Sequence, residues 1–205
     1  DTVGDNETYT SFILKVVKNV TVSPKGDKPT LEKKVMDAND TEGSTSGWQD
    51  SADHDIGDDV PFKLTAKIAS NFDDYSTYKF VFHDEQSAGL TFKPETVEVT
   101  VGGTKLNPAD YTVETNLTDG CTFHVVINDL KKISSAAANV DVVVAYKSKL
   151  NENAEIGSKG NPNEAYLGYS NNPHNSNDTT TTPKDKVTVF TFKVVANKIN
   201  GTDDK

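Results

Sequence analysis

The sequence predicts an all-β chain folded as an immunoglobulin-like two-sheet sandwich with long acidic loops and little helix. Three observations carry this. Short apolar runs alternate residue by residue, as in Pro61–Ile68, where Phe62, Leu64, Ala66 and Ile68 interleave with Lys63, Thr65 and Lys67. Apolar residues make up only 34% of the 205-residue chain, while Gly, Asn, Asp, Ser and Thr are plentiful, which suits many turns better than a helical bundle. Helical periodicity is almost absent, and numerous short strands separated by turn signals favour two packed sheets.

Taken in order, Tyr9–Val22 reads as one or two strands, followed by a polar link at Ser23–Asp27. Residues 1–26 are therefore expected to belong to a preceding domain or an N-terminal extension, 27–199 to the sandwich, and 200–205 to the start of a linker. Lys28–Val35 is the first strand of the sandwich. Asp37–Asp59, crowded with Asp, Ser and Gly, reads as a solvated loop. Strands follow at Pro61–Ile68, Tyr78–Glu85 and Val97–Val101, the last ending in a Gly102-Gly103 turn. Phe123–Ile127 and Val140–Tyr146 are further strands, with a helical turn or two between them in Asp129–Ala138. Gly160–Pro173 is a late strand, His174–Lys186 a loop without an apolar anchor, and Val187–Ala196 the last strand.

The net charge is −10 and the chain contains no arginine. Phosphate and nucleic-acid recognition rely on positive patches and bidentate guanidinium groups, so a nucleic-acid partner is not expected. Acidity here serves solubility. No stretch approaches membrane-spanning length, so no membrane contact is expected. Asp1 opens no signal-peptide pattern, and the chain is expected to be a fragment of something longer. The single cysteine, Cys121, has no internal disulfide partner, which is compatible with a bacterial exported protein.

Strand alternation singles out three polar residues. Lys33 shares a face with Leu31 and Val35, Asp84 with Tyr78, Phe80 and Phe82, and Asn163 with Ala165, Leu167 and Tyr169. A lysine aimed into an apolar layer has its charged form disfavoured. One lysine, one carboxyl and one asparagine pointing inward make a set for an internal Lys–Asn amide cross-link. The bland alternative is common: inward lysines at strand ends snorkel, and Asp and Asn there satisfy turns. The same alternation sends Lys34 outward beside Glu32, and Glu98 away from the face of Val97 and Val99. Asn172 falls off the Asn163 face.

Five blocks, in order, carry a resemblance: K-P-T-L-E-K-K-V, I-G-D-D-V-P-F-K-L-T-A-K-I, S-A-G-L-T-F, G-N-P-N-E-A-Y-L-G-Y-S-N-N-P and T-P-K-D-K-V-T-V-F-T-F. From about Asp27 to Ile199 the chain resembles the isopeptide-forming fimbrial subunit domain of sortase-assembled pilins and related wall-anchored proteins of Gram-positive bacteria, the collagen-adhesin/pilin type of sandwich. The resemblance implies that Lys33 joins Asn163 and that Asp84 is the assisting acid and proton shuttle. It implies an extracellular, wall-anchored structural module, no cofactor, and neighbouring pilin subunits as sortase-joined partners. Self-cross-linking is a single turnover, so the chain is not expected to be an enzyme. Lys25, in V-S-P-K-G, occupies the place of the lysine that sortase joins to a neighbour. Serine stands where that motif usually has tyrosine, and glycine follows the lysine, so a plain linker lysine is the competing reading. The alternative function is an adhesin domain that binds a host matrix protein or glycan through its long loops.

No metal site is expected. Asp37–Gly43 resembles a calcium loop but has its glycine misplaced and lacks the closing glutamate. Asp50, Asp53, Asp55, Asp58 and Asp59 read as solvated loop acids, and His54, His83, His124 and His174 show no metal-ligand spacing. His83 should face the opposite side of its strand from Asp84.

Overall fold

The computed structural model describes residues 27–39 and 44–193. The Tyr9–Val22 segment, Lys25, the end of the Val187–Ala196 run and the 200–205 linker lie outside the described residues, as does part of Asp37–Gly43. The strands in chain order are β1 (Thr30–Asn39), β2 (Ser44–Gln49), β3 (Ser51–Asp53), β4 (Asp59–Lys67), β5 (Phe80–Gln86), β6 (Leu90–Val101) and β7 (Thr104–Lys105). They continue as β8 (Thr112–Glu114), β9 (Phe123–Ile127), β10 (Asp141–Leu150), β11 (Asn161–Ser170), β12 (Thr179–Thr181) and β13 (Asp185–Phe190).

They form two sheets. The first runs β2-β1-β4-β10-β6-β7; the second runs β3-β13-β11-β5-β9-β8, with β12 also pairing β11. All pairings are antiparallel except β13 with β3. The inner faces are written in the alternation: Val60, Phe62, Leu64 and Ala66 of β4 and Val142, Val144 and Tyr146 of β10 are buried against Phe80 and Phe82 of β5 and Ala165, Leu167 and Tyr169 of β11. Gly102 and Gly103, at φ 58° and 76°, make the tight β6–β7 turn, where two successive left-handed residues favour glycine.

The acidic stretch Asp37–Asp59 is not a continuous loop. Residues 37–39 end β1, and β2 and β3 follow within the stretch, because an edge strand requires backbone pairing rather than buried side chains. Trp48 pairs opposite Met36 and lies under the Lys63 ammonium, 4.6 Å from its ring centre. The same reason corrects the His174–Lys186 loop, where Thr179–Thr181 pairs with Gly168–Ser170. Helix in Asp129–Ala138 is limited to one 3-10 turn, Leu130–Lys132. The Asp129 carboxylate accepts hydrogen bonds from the backbone N–H groups of Lys131 and Tyr78, tying that turn to the start of β5.

Candidate functional site

Lys33, Asp84 and Asn163 are each fully buried, with 0% of their surface exposed. Lys33 is on β1 of the first sheet, opposite Leu64 of β4. Asp84 and Asn163 belong to the second sheet, on adjacent strands: Asp84 is opposite Ala165 and Asn163 opposite Gln86, so the two are diagonal neighbours on the inner face. The inward pattern thus brings all three into one layer between the sheets. The backbone N–H of Lys33, on the edge of β1 that β2 does not reach, donates to the Asp185 carboxylate at 2.7 Å and fixes that strand against β13.

A fourth residue centres the site, and sequence reasoning did not place it there. Tyr146 donates its hydroxyl proton to Asp84 Oδ2 at 2.7 Å and accepts from Lys33 Nζ and from Asn163 Nδ2, both at 3.0 Å. Lys33 Nζ also donates to Asp84 Oδ2 at 2.5 Å. The signal was present: Tyr146 continues the inward series Val142, Val144, which runs on to Ser148 and Leu150, and a buried tyrosine hydroxyl needs a partner. What the sequence does not carry is register, and the β10–β6 ladder is irregular between Ala145 and Lys147, opposite the segment containing Pro94.

Aromatic rings dry the layer. Phe62 stacks on Tyr146 at 5.3 Å, Phe123 meets Tyr146 edge-on at 4.9 Å, and Phe92 stacks on Phe123 at 3.7 Å. Burial pulls the Lys33 pKa down, with the Asp84 charge opposing it, and pushes the Asp84 pKa up, with Lys33 opposing. Burial, followed by the Asp84 charge, holds the Tyr146 hydroxyl well above its ordinary value. Desolvation acts on both members of the pair in the direction of a neutral amine beside a neutral acid. Two oxygens in the layer, Asp84 Oδ1 and Asn163 Oδ1, are buried without a hydrogen-bond partner among the described residues. A proton on Asp84 would give the layer a donor, and Asn163 Oδ1 is an unfilled acceptor on the adjacent strand.

The other candidates separate from this layer. Lys34 points outward to Asp50 at 2.6 Å and Glu32 at 3.3 Å, and Glu98 pairs with Lys105. The Asn172 amide donates to Asp178. Lys25 lies outside the described residues. Among the loop acids, Asp50 and Asp59 are taken up by Lys34 and Lys93, and Asp58 accepts from the Asp55 backbone. His83 faces away from Asp84, and it meets His124 across the strand pair, a juxtaposition that linear spacing did not reveal. Among the described residues no helix is long and apolar enough to cross a membrane.

This two-sheet fold belongs to the family described as Gram-positive pilin backbone subunit 2, Cna-B-like domain, which the chain matches over residues 56–173. It is 26% identical over 160 residues to the trypsin-resistant surface T6 protein of Streptococcus pyogenes serotype M6, covering 71% of this chain and 30% of that protein. Among solved structures it is similar to the 35 kDa C-terminal fragment of the major pilin GBS80 of Streptococcus agalactiae, with a TM-score of 0.60 and 22% identity over 81% of this chain and 57% of that one. The full-length major pilin RrgB of Streptococcus pneumoniae is 26% identical with a TM-score of 0.54, covering 78% of this chain and 27% of that one. The chain thus spans less than a third of the T6 protein's length.

Proposed function

We propose that this chain is a structural module of a pilus shaft on the Gram-positive cell surface, hardened by an isopeptide bond that Lys33 and Asn163 form without an enzyme. The observation that carries the reading is the shared Tyr146 hydroxyl, which holds the Lys33 amine and the Asn163 amide in one layer with the Asp84 carboxyl.

The chemistry follows from desolvation. Folding leaves Lys33 as a neutral amine, and its lone pair attacks the Asn163 side-chain carbonyl carbon. Asp84, kept protonated, donates a hydrogen bond to Asn163 Oδ1, polarising the carbonyl and stabilising the oxyanion that develops there. The new Nζ–C bond forms as the C–Nδ2 bond breaks. The Lys33 amine surrenders a proton through Asp84 to the departing nitrogen, which leaves as ammonia. Nothing is oxidised or reduced, and positioning of groups on fixed strands supplies the effective molarity. The reaction happens once per chain.

The bond joins β1 of the first sheet to β11 of the second and closes a loop of 163 − 33 = 130 residues. A pulling force entering β1 then passes to β11 through a covalent link instead of through hydrogen-bond ladders. Neighbouring subunits of the same fibre are the natural partners of such a module, and Lys25 is the candidate lysine for a sortase-made link to one of them.

Intact-mass measurement tests the reading. The wild-type chain is expected to weigh one ammonia less than its sequence, and a mass equal to the sequence rejects the bond. Tyr146→Phe is expected to form the same bond more slowly, because it removes the hydroxyl shared by the three groups while leaving the ring in place. Mass spectra taken through refolding should contain an unlinked population that persists longer than in the wild type.

A further inference from the structure

On the outer face of the second sheet, behind the site just described, four side chains of three ligand types converge. His83 of β5 and His124 of β9 are directly opposite one another, with His83 Nδ1 2.8 Å from His124 Nε2. Asp119 and Cys121 reach the same spot from the segment between β8 and β9. Asp119 Oδ2 is 2.9 Å from His124 Nε2 and 3.8 Å from His83 Nδ1, and Cys121 Sγ is 3.9 Å from His83 Nδ1. The four donor atoms lie within 4.8 Å of one another.

We propose that His83, Asp119, Cys121 and His124 form a structural zinc site that pins the 115–122 segment to the sheet. Two imidazoles, one thiolate and one carboxylate make a closed four-ligand set of the kind that holds Zn²⁺ tetrahedrally, and its two negative charges balance the ion. Binding asks little of the geometry: the imidazole nitrogens would part from 2.8 Å to about 3.3 Å, the edge of a tetrahedron with bonds of about 2.0 Å. The Cys121 thiol proton leaves to solvent as the metal enters.

The surroundings orient the ligands. Gly120, at φ 90°, lets the chain reverse between Asp119 and Cys121. The Cys121 backbone N–H donates to Asp119 Oδ1 at 3.1 Å, leaving Oδ2 turned to the histidines. Glu114 Oε2 stands 3.6 Å from His124 Nδ1, where an outer carboxylate steadies a metal-bound imidazole. The Tyr166 ring stacks on His83 at 4.4 Å, and its hydroxyl is 3.7 Å from Cys121 Sγ. The His83 ring passes over Gly168, where a Cβ would come within 3.2 Å of Nε2. A hydrogen-bonded histidine pair alone would account for two of these residues. It gives no reason for a thiol and a carboxylate from a separate segment to turn toward the same nitrogen atoms.

The test uses the whole chain, untagged and kept reduced, with zinc or cobalt(II) as the probe. Zinc should bind at one ion per chain in competition with a chelator. Cobalt(II) should give a sulfur-to-metal charge-transfer band, and zinc should protect Cys121 from a thiol reagent until the metal is stripped. Cys121→Ser and His124→Gln are each expected to weaken zinc by more than about 100-fold, and Glu114→Gln by the roughly 10- to 100-fold of an outer-shell loss. Circular dichroism of the metal-free variants checks that they fold. Absence of stoichiometric zinc, absence of the cobalt–thiolate band, or unchanged affinity in folded Cys121→Ser overturns the site. The intact mass reports on the Lys33–Asn163 bond separately, so either idea fails without the other.

Discussion

Lys33→Ala is expected to give a chain that keeps its ammonia and melts far below the wild type. Closing a 130-residue loop, from Lys33 to Asn163, removes about 5 kcal/mol of denatured-state entropy on the chain-entropy account. For a domain of this size that corresponds to about 10–20 °C in melting temperature. Alanine also vacates the volume of a fully buried side chain and takes the ammonium partner from Asp84, which keeps its bond from the Tyr146 hydroxyl and its neighbour Gln86. Burial pushes the Asp84 pKa up, so the acid survives by staying protonated and the fold should persist. Intact mass and a thermal melt on the same sample check both halves of the expectation. A variant that lacks the bond yet melts with the wild type would mean that the link contributes nothing to stability.

The inner layer was legible in the sequence because strand alternation is a strict rule. Once Leu31, Lys33 and Val35 fall on one face, burial of the lysine follows from the strand assignment alone, and Asp84 and Asn163 follow in the same way. Tyr146 was legible as an inward residue but not as the centre of the site. Its contacts depend on how β10 of one sheet lies over β5 and β11 of the other, and single-strand periodicity contains no such offset. The edge strands were illegible for a different reason. Ser44–Gln49 and Thr179–Thr181 carry no apolar alternation, since their pairing is made by backbone groups that every residue possesses. His83 and His124 are 41 positions apart and meet only because β5 and β9 pair in that register. Spacing rules find ligands that share a local element, and this cluster shares none.

Asp84→Ala separates the chemistry from the packing, because it retains both the amine and the amide that would be joined. Without the acid, the carboxylic proton that polarises Asn163 is gone, and the Tyr146 hydroxyl that still touches both nitrogens is a poor proton carrier because burial holds its pKa well above the ordinary value. The variant is expected to keep its full mass even though Lys33 and Asn163 both remain on Tyr146. Its stability should fall by the same 5 kcal/mol or so for the missing loop closure, plus the cost of burying an amine that has lost its carboxyl partner. The double variant Lys33→Ala, Asp84→Ala is the sharper measurement. If each single change abolishes one and the same covalent bond, that bond is lost only once in the double, and the double's destabilisation should fall short of the sum of the singles by about 5 kcal/mol. A buried ion pair also couples its two members, by up to about 3–5 kcal/mol. The shortfall is assigned to the covalent bond only where the masses show the bond present in the wild type and absent from all three variants. Denaturant melts of the four proteins, with their masses recorded alongside, therefore distinguish a covalent strut from a buried lysine that merely sits beside an acid.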